Sequence, residues 1–240
     1  MNTSFKHIHS PNYNDRATGA GIDFLVCHYT IIPADDVVEL YQSETGPPGA
    51  GPLSAHYMID KQGAVTQFVD ESKRAWHAGK SYWRGITDIN SHSIGIELEN
   101  EGEAADYPGF EDRQIDALIE LAGDIKQRHI IEERNIIGHS DIAPGRKLDP
   151  GPAFPWQRLA RKGLGLWPDV TREEALQAFG FLKNASADQV IKEHLVAYGY
   201  NPDLTSDVLI QAFNTHFCEG NTSDEITLAT ILSLLNQIDD

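Results

Sequence analysis

Apolar positions along the chain come in short runs whose spacing changes from one stretch to the next. Ile22 to Tyr29 is nearly continuous, which predicts a strand buried on both faces. His28 stands near its C-terminal end, the place where open α/β sheets gather ligands. Asp35 to Ser43 carries helical spacing in Val37, Val38, Leu40 and Tyr41, and runs into a loop over Gly46 to Pro52. Ser54 to Asp60 and Ala64 to Val69, joined by Lys61-Gln62-Gly63, predict a hairpin. Ser93 to Asn100 alternates with period two, so Ile94, Ile96 and Leu98 share one strand face and Glu97 and Glu99 the other. Phe110 to Ile131 predicts an amphipathic helix with Ile115, Leu118, Ile119, Ala122 and Ile125 on one side. Asn135 to His139 reads as a short strand and Trp156 to Lys162 as a short helix.

Strands alternating with helices make residues 1–168 an α/β domain, a mixed central sheet flanked by helices. After Trp167-Pro168 the strand pattern stops. Residues 169–240 predict a small all-α domain of helices near Thr171–Leu182, Ala187–Tyr198, Leu204–Phe217 and Asp224–Gln237. Leu176, Phe179, Val190, Leu195, Val208, Ile210, Phe213 and Leu232 are the expected core of these helices.

Charge narrows the partners. The formal net charge is −17, and residues 169–240 hold twelve acids against three bases. Nucleic acid and anionic membrane surfaces require basic patches, so both are disfavoured. No apolar run approaches a transmembrane length. The N-terminus lacks the apolar core of a signal peptide. Cys27 and Cys218 are too few and too far apart for a disulfide framework or a thiolate metal site. A homo-oligomer is left open.

The chemistry collects in Gly138 to Pro152, which is dense in turn formers and reads as a loop. It contains His139, Asp149 and two cations, Arg146 and Lys147. With His28 the chain offers two histidines and one carboxylate, a set that leaves one tetrahedral position of a zinc ion open for catalysis. No His-Glu-x-x-His motif is present, so this is not a helix-borne peptidase site. In an extended segment Lys147 and Asp149 would face the same way, and an ammonium there would stabilise an oxyanion. Glu97, a carboxylate on a strand with an apolar opposite face, is the natural general base. Trp76 and His77, with Arg74, Tyr82, Trp83 and Arg84, give an aromatic and cationic polar loop suited to a ligand groove.

These segments closely resemble the type 2 N-acetylmuramoyl-L-alanine amidases, nearest the AmiD/AmpD branch. The likeness rests on Leu25 to Tyr29, Ser54 to Tyr57, Arg74 to Gly79, Ser93 to Asn100 and His139 to Pro152, in that order. Tyr29, which follows the first proposed ligand, leans towards the AmiD side. The resemblance implies zinc on His28, His139 and Asp149, Glu97 as catalytic carboxylate and Lys147 as its cationic partner. It also implies that Trp76, His77, Asn90 and Arg146 lie in or near a groove for peptidoglycan or muropeptide fragments. It implies a periplasmic or cell-envelope setting as well, whereas the sequence as written, without an export signal, points to the cytoplasm or to a chain from which that signal was removed. Ala197 to Tyr200 and Leu209 to Phe217 are similar to peptidoglycan-binding modules. The rival reading is a non-catalytic peptidoglycan receptor, which the full set of ligands and catalytic partners disfavours.

Overall fold

The structure is a computed structural model describing residues 6–47, 49, 51–183, 185–218 and 222–239. Its centre is a six-stranded sheet of β1 (Lys6–His7), β3 (Phe24–Tyr29), β4 (Tyr57–Ile59), β5 (Val65–Gln67), β7 (Ser93–Leu98) and β8 (Ile136–Gly138). The spatial order is β1-β5-β4-β7-β3-β8. The β4–β5 hairpin is antiparallel and every other pair is parallel. β2 (Tyr13–Asp15) and β6 (Lys73–Ala75) form a separate antiparallel pair. Thus part of the stretch read as an irregular groove, Arg74 and Ala75, is a strand. Three residues are too few to display a period.

β3 is flanked on both sides, and alternation sends its side chains to two different cores. Leu25 and Cys27 join Ile94, Ile96 and Leu98 of β7 under the apolar stripe of α3 (Asp112–His129). Ile115, Leu118, Ala122 and Ile125 of that helix are at most 1 % exposed, as its period predicts. Phe24 and Val26 point the other way, towards the helical segment. α1 (Ala34–Gln42) packs Val37 and Tyr41 against Met58 and Phe68. The short helices α2 (Ile89–His92), α4 (His139–Ile142) and α5 (Trp156–Ala160) complete this part. The α/β architecture is the one expected.

The C-terminal segment folds as α6 (Arg172–Leu182), α7 (Ala187–Tyr198), α8 (Ser206–Phe217) and α9 (Asp224–Asp239). Val190, Leu195, Phe213 and Leu232 are buried as expected, in one cluster with Phe24, Val26 and Ile137 of the sheet. Leu176 and Phe179 depart from the expectation, at 61 % and 60 % exposed. The phase of α6 is set instead by a capping box: Thr171 Oγ1 accepts from Glu174 N, and Glu174 Oε2 accepts from Thr171 N. Glu174 Oε1 then accepts from Asn236 on α9, which turns Ala178 inwards and the larger apolar residues outwards.

Trp83 belongs to the core and not to a groove. It is 0 % exposed and packs edge-on to Tyr198 and Tyr200, with ring centroids 5.9 and 5.0 Å away. Trp83→Ala is expected to destabilise the fold by roughly 3–5 kcal/mol, read from denaturant unfolding. A loss below about 1 kcal/mol would contradict that placement.

Candidate active site

Register brings the site together. In the β3–β7 pair His28 stands opposite Glu97, and in the β3–β8 pair Cys27 stands opposite Gly138. The residue after each partner of the second pair is a histidine, so His28 and His139 emerge side by side at the strand ends. Paired positions of adjacent strands share a face, which puts Glu97 beside His28. Gly138 has no room for a side chain, since a Cβ there would lie 2.7 Å from Pro150 Cδ. The Gly138–Pro152 stretch is not loop throughout. Asp141 Oδ2 accepts from Gly138 N at 2.8 Å and starts the one-turn helix α4, a unit too short to leave a period in the sequence. Ser140 N donates to Asp149 O at 2.8 Å and closes the segment on itself.

His28, His139 and Asp149 are all buried and their facing atoms form a near-equilateral triangle. The edges are 3.0 Å from His28 Nδ1 to His139 Nδ1, 2.9 Å from His28 Nδ1 to Asp149 Oδ2, and 3.0 Å from His139 Nδ1 to Asp149 Oδ2. Zinc bonds of about 2.0–2.2 Å at tetrahedral angles would separate such atoms by roughly 3.3 Å. The protons agree with that use. Ala78 O, 3.0 Å from His139 Nε2, can only accept, so Nε2 carries a proton, and in the neutral ring Nδ1 is the lone pair facing the triangle. With His28 in the same tautomer, its Nε2–H donates to His77 Nδ1 at 3.0 Å, and His77 Nε2–H donates to Ser93 Oγ at 3.0 Å. Every ring N–H then has an acceptor, and three lone pairs converge on one point. The set fits a dication.

Burial, helped by the neighbouring His139, lowers His28 to about 4, which keeps the ring neutral. Burial likewise holds His77 well below the usual histidine range. Asp149 is pushed up by burial, but the adjoining His139 and His28 outweigh this and hold it below the carboxylate range. Glu97 goes the other way, to about 8. Burial and the charge of Asp149 raise it, against the hydrogen bond from Tyr41 and the pull of Lys147. Tyr41 donates to Glu97 Oε1 at 3.2 Å, while Oε2 is buried with no hydrogen-bond partner among the described residues.

The other residues singled out in the sequence surround this centre in different ways. Lys147 is exposed, and its charge is felt by both Glu97 and His28. A turn joins it to the ligands, its N–H bonded to Ala143 O, in place of the extended run expected. Lys147 lines a cleft of about 290 Å³ whose facing wall is Val208, Gln211 and Thr215 of α8. His77 stands behind His28. Its ring lies so close to β7 that a Cβ on Gly95 would meet it at 2.5 Å. Asn90 is buried, its Oδ1 accepting from His77 N at 3.1 Å and Ala78 N at 2.9 Å. Arg146 donates to Ala78 O at 2.7 Å and Lys80 O at 2.6 Å, bracing the same loop. Trp76 is half-buried with Nε1 bonded to Asn14 Oδ1 at 2.6 Å. Tyr41, Ser93 and Asp141 were not foreseen; only the helical phase of Tyr41 and the strand phase of Ser93 could have signalled the first two.

A buried His-His-Asp group that could hold a metal ion, at the strand ends of a mostly parallel sheet with a carboxylate beside it, has the donor set of a metallohydrolase. Residues 18–152 match the family described as N-acetylmuramoyl-L-alanine amidase. The chain belongs to that enzyme family. It is 42 % identical over 214 residues to the amidase AmiD of Escherichia coli, covering 82 % of this chain and 75 % of that protein. It is 36 % identical over 170 residues to the 1,6-anhydro-N-acetylmuramyl-L-alanine amidase AmpD of Haemophilus influenzae, covering 65 % of this chain and 90 % of that protein. Among solved structures, the AmiD complex with anhydro-N-acetylmuramic acid-L-Ala-D-γ-Glu-L-Lys superposes with a TM-score of 0.74 at 37 % identity, covering 92 % of each chain. AmpDh3 of Pseudomonas aeruginosa gives 0.77 at 33 % identity, covering 97 % of this chain and 99 % of that one.

Proposed function

We propose that this chain is a zinc-dependent N-acetylmuramoyl-L-alanine amidase, cleaving the amide between N-acetylmuramic acid, or its anhydro form, and L-alanine of the stem peptide. The single observation that carries the reading is the buried triangle of His28, His139 and Asp149 with Glu97 in register beside His28. The anhydro substrate is favoured by the ligand of the AmiD complex and by the anhydromuramic pentapeptide bound to AmpDh3. Residues 1–168 would carry the chemistry. Residues 169–240 would form the helical domain similar to peptidoglycan-binding modules.

In this reading His28, His139 and Asp149 would hold one zinc ion, which when bound would supply Lewis acidity at the carbonyl and lower the pKa of water. Glu97 takes a proton from the attacking water on its carboxylate as the new C–O bond forms. The same carboxyl returns that proton to the alanine nitrogen as the C–N bond breaks, so the products are the free acid and the free amine. Lys147 reaches from the rim of the site to steady the negative charge that develops on the carbonyl oxygen. Asn90 and Arg146 hold the 77–80 loop, and with it the groove side of the metal centre; His77 fixes the tautomer of His28. Trp76 offers a half-buried aromatic face for the sugar or the peptide.

Digestion of anhydromuramyl tripeptide tests the proposal. The expected products are anhydro-N-acetylmuramic acid and a tripeptide with a free N-terminal L-alanine, and a zinc chelator should abolish their release. Cleavage elsewhere, or full activity after verified removal of zinc, would overturn it.

A further inference from the structure

Asp141 is 1 % exposed and lies two residues after His139, on the same helical turn. Its carboxylate has three partners. Oδ2 accepts from Gly138 N at 2.8 Å and lies 2.7 Å from His216 Nδ1, while Oδ1 accepts from Tyr200 OH at 2.6 Å. The first bond is local and suffices to start the turn. The other two come from residues of the C-terminal segment, about 60 and 75 positions away in sequence.

Both distant partners are themselves immobilised. The His216 ring is stacked on Trp156, centroids 3.8 Å apart and planes at 19°, and on Phe217 at 3.7 Å and 5°. Tyr200 is 0 % exposed, with Trp83 edge-on at 5.0 Å. A buried carboxylate costs several kcal/mol unless hydrogen bonds compensate it. Here the compensation ties α4 to α8 and to the turn after α7. Since α4 begins with His139, and Ser140 N holds Asp149 O, a rotation of this turn would open the ligand triangle on two of its three corners. Ligand atoms held by an outer set of hydrogen bonds characterise tight metal sites, and losing one such bond commonly costs 10–100-fold in affinity.

We propose that Tyr200 and His216 are positioning residues for the metal centre, acting through Asp141, so that the helical segment is part of the zinc site and not only an attachment to it. This rests on the metal reading above. None of these three residues belongs to the His28–His139–Asp149 triangle.

The test uses the full chain. Tyr200→Phe removes one hydroxyl with little change in packing, and His216→Phe keeps the aromatic stack while removing the donor. Tyr198→Phe serves as a control, because that ring packs on Trp83 and makes no hydrogen bond to Asp141. Zinc affinity is measured by competition with a chromophoric chelator, and thermal unfolding is followed with and without zinc. Tyr200→Phe is expected to weaken zinc binding about 10–100-fold and to narrow the gap between the zinc-loaded and zinc-free melting temperatures. His216→Phe should do the same if it folds, with kcat falling more than KM rises for both. The control should bind zinc like the unaltered chain. Zinc affinity within about twofold of the unaltered chain in Tyr200→Phe, however the zinc-free protein melts, would overturn the proposal alone. Failure of the unaltered chain to bind zinc would bring down the metal reading, and this inference with it.

Discussion

Asp149→Ala should reduce bound zinc from about one ion per chain to a small fraction of one, because a site with two protein ligands lies outside the three- and four-ligand range of zinc proteins. Metal analysis after gel filtration against buffer reads this directly. Hydrolysis should fall at least about 10³-fold, since a Lewis acid at the carbonyl contributes several kcal/mol of transition-state stabilisation. The fold should survive. Removing Asp149 takes a buried anion from beside two imidazoles and leaves the apolar clusters on both sides of β3 intact. Circular dichroism of the variant should therefore match that of the zinc-free parent. Asp149→Ala that retained stoichiometric zinc would mean that the triangle is a hydrogen-bonded cluster, and another residue would have to complete the site. His139→Ala offers the same comparison from the other side. Its loss also removes one of the two donors to Ala78 O, leaving Arg146 alone there, so it should loosen the 77–80 loop as Asp149→Ala does not.

Two corners of the His28–His139–Asp149 triangle were legible because apolar strands lead to them. Ile22 to Tyr29 is a run that only a buried strand explains, and His28 is the polar residue at the end where sheets bind ligands. His139 follows the same rule on β8. Asp149 was readable as a carboxylate in a segment crowded with prolines and glycines, but its direction was not. The extended geometry assumed for Lys147 and Asp149 is replaced by a turn, and the two reach the site by different routes. Pairing was also out of reach. That His28 and Glu97 stand opposite each other depends on a register between strands some seventy residues apart, which local periodicity does not encode.

The misplaced residues share a cause. Trp83 sits among polar and cationic neighbours and reads as exposed, yet Tyr198 and Tyr200 from the far end of the chain bury it. Leu176 and Phe179 are apolar and read as core, yet the hydrogen bonds of Glu174 fix the phase of α6 and turn them to solvent. His216 was indistinguishable from any isolated histidine until the fold brought Asp141 to it. Hydrophobicity predicts burial well where the period is long, and poorly where a partner from a distant segment decides.

Glu97→Gln is expected to separate binding from chemistry. The amide matches the carboxyl in size and still accepts from Tyr41, so zinc content should stay near one ion per chain and KM should change little. What it lacks is the ability to take and return a proton, and kcat should fall roughly 10²–10⁴-fold. A variant within about tenfold of the parent would remove Glu97 as the base. Stability offers a second readout of opposite sign. In the zinc-free protein, burial and the charge of Asp149 raise Glu97 from its usual 4.5 to about 8. Between those values the folded state keeps a proton that the unfolded chain has lost, so this group's contribution falls as pH rises from about 4.5 to about 8. Glutamine has no such dependence, and zinc-free Glu97→Gln should melt above the zinc-free parent at pH 8, with the difference shrinking towards pH 5. Zinc should shrink it too, because a dication beside Asp149 cancels the charge that opposes ionisation of Glu97. Burial, the larger of the two causes, is untouched by a dication and would leave Glu97 a stronger base than a solvated carboxylate.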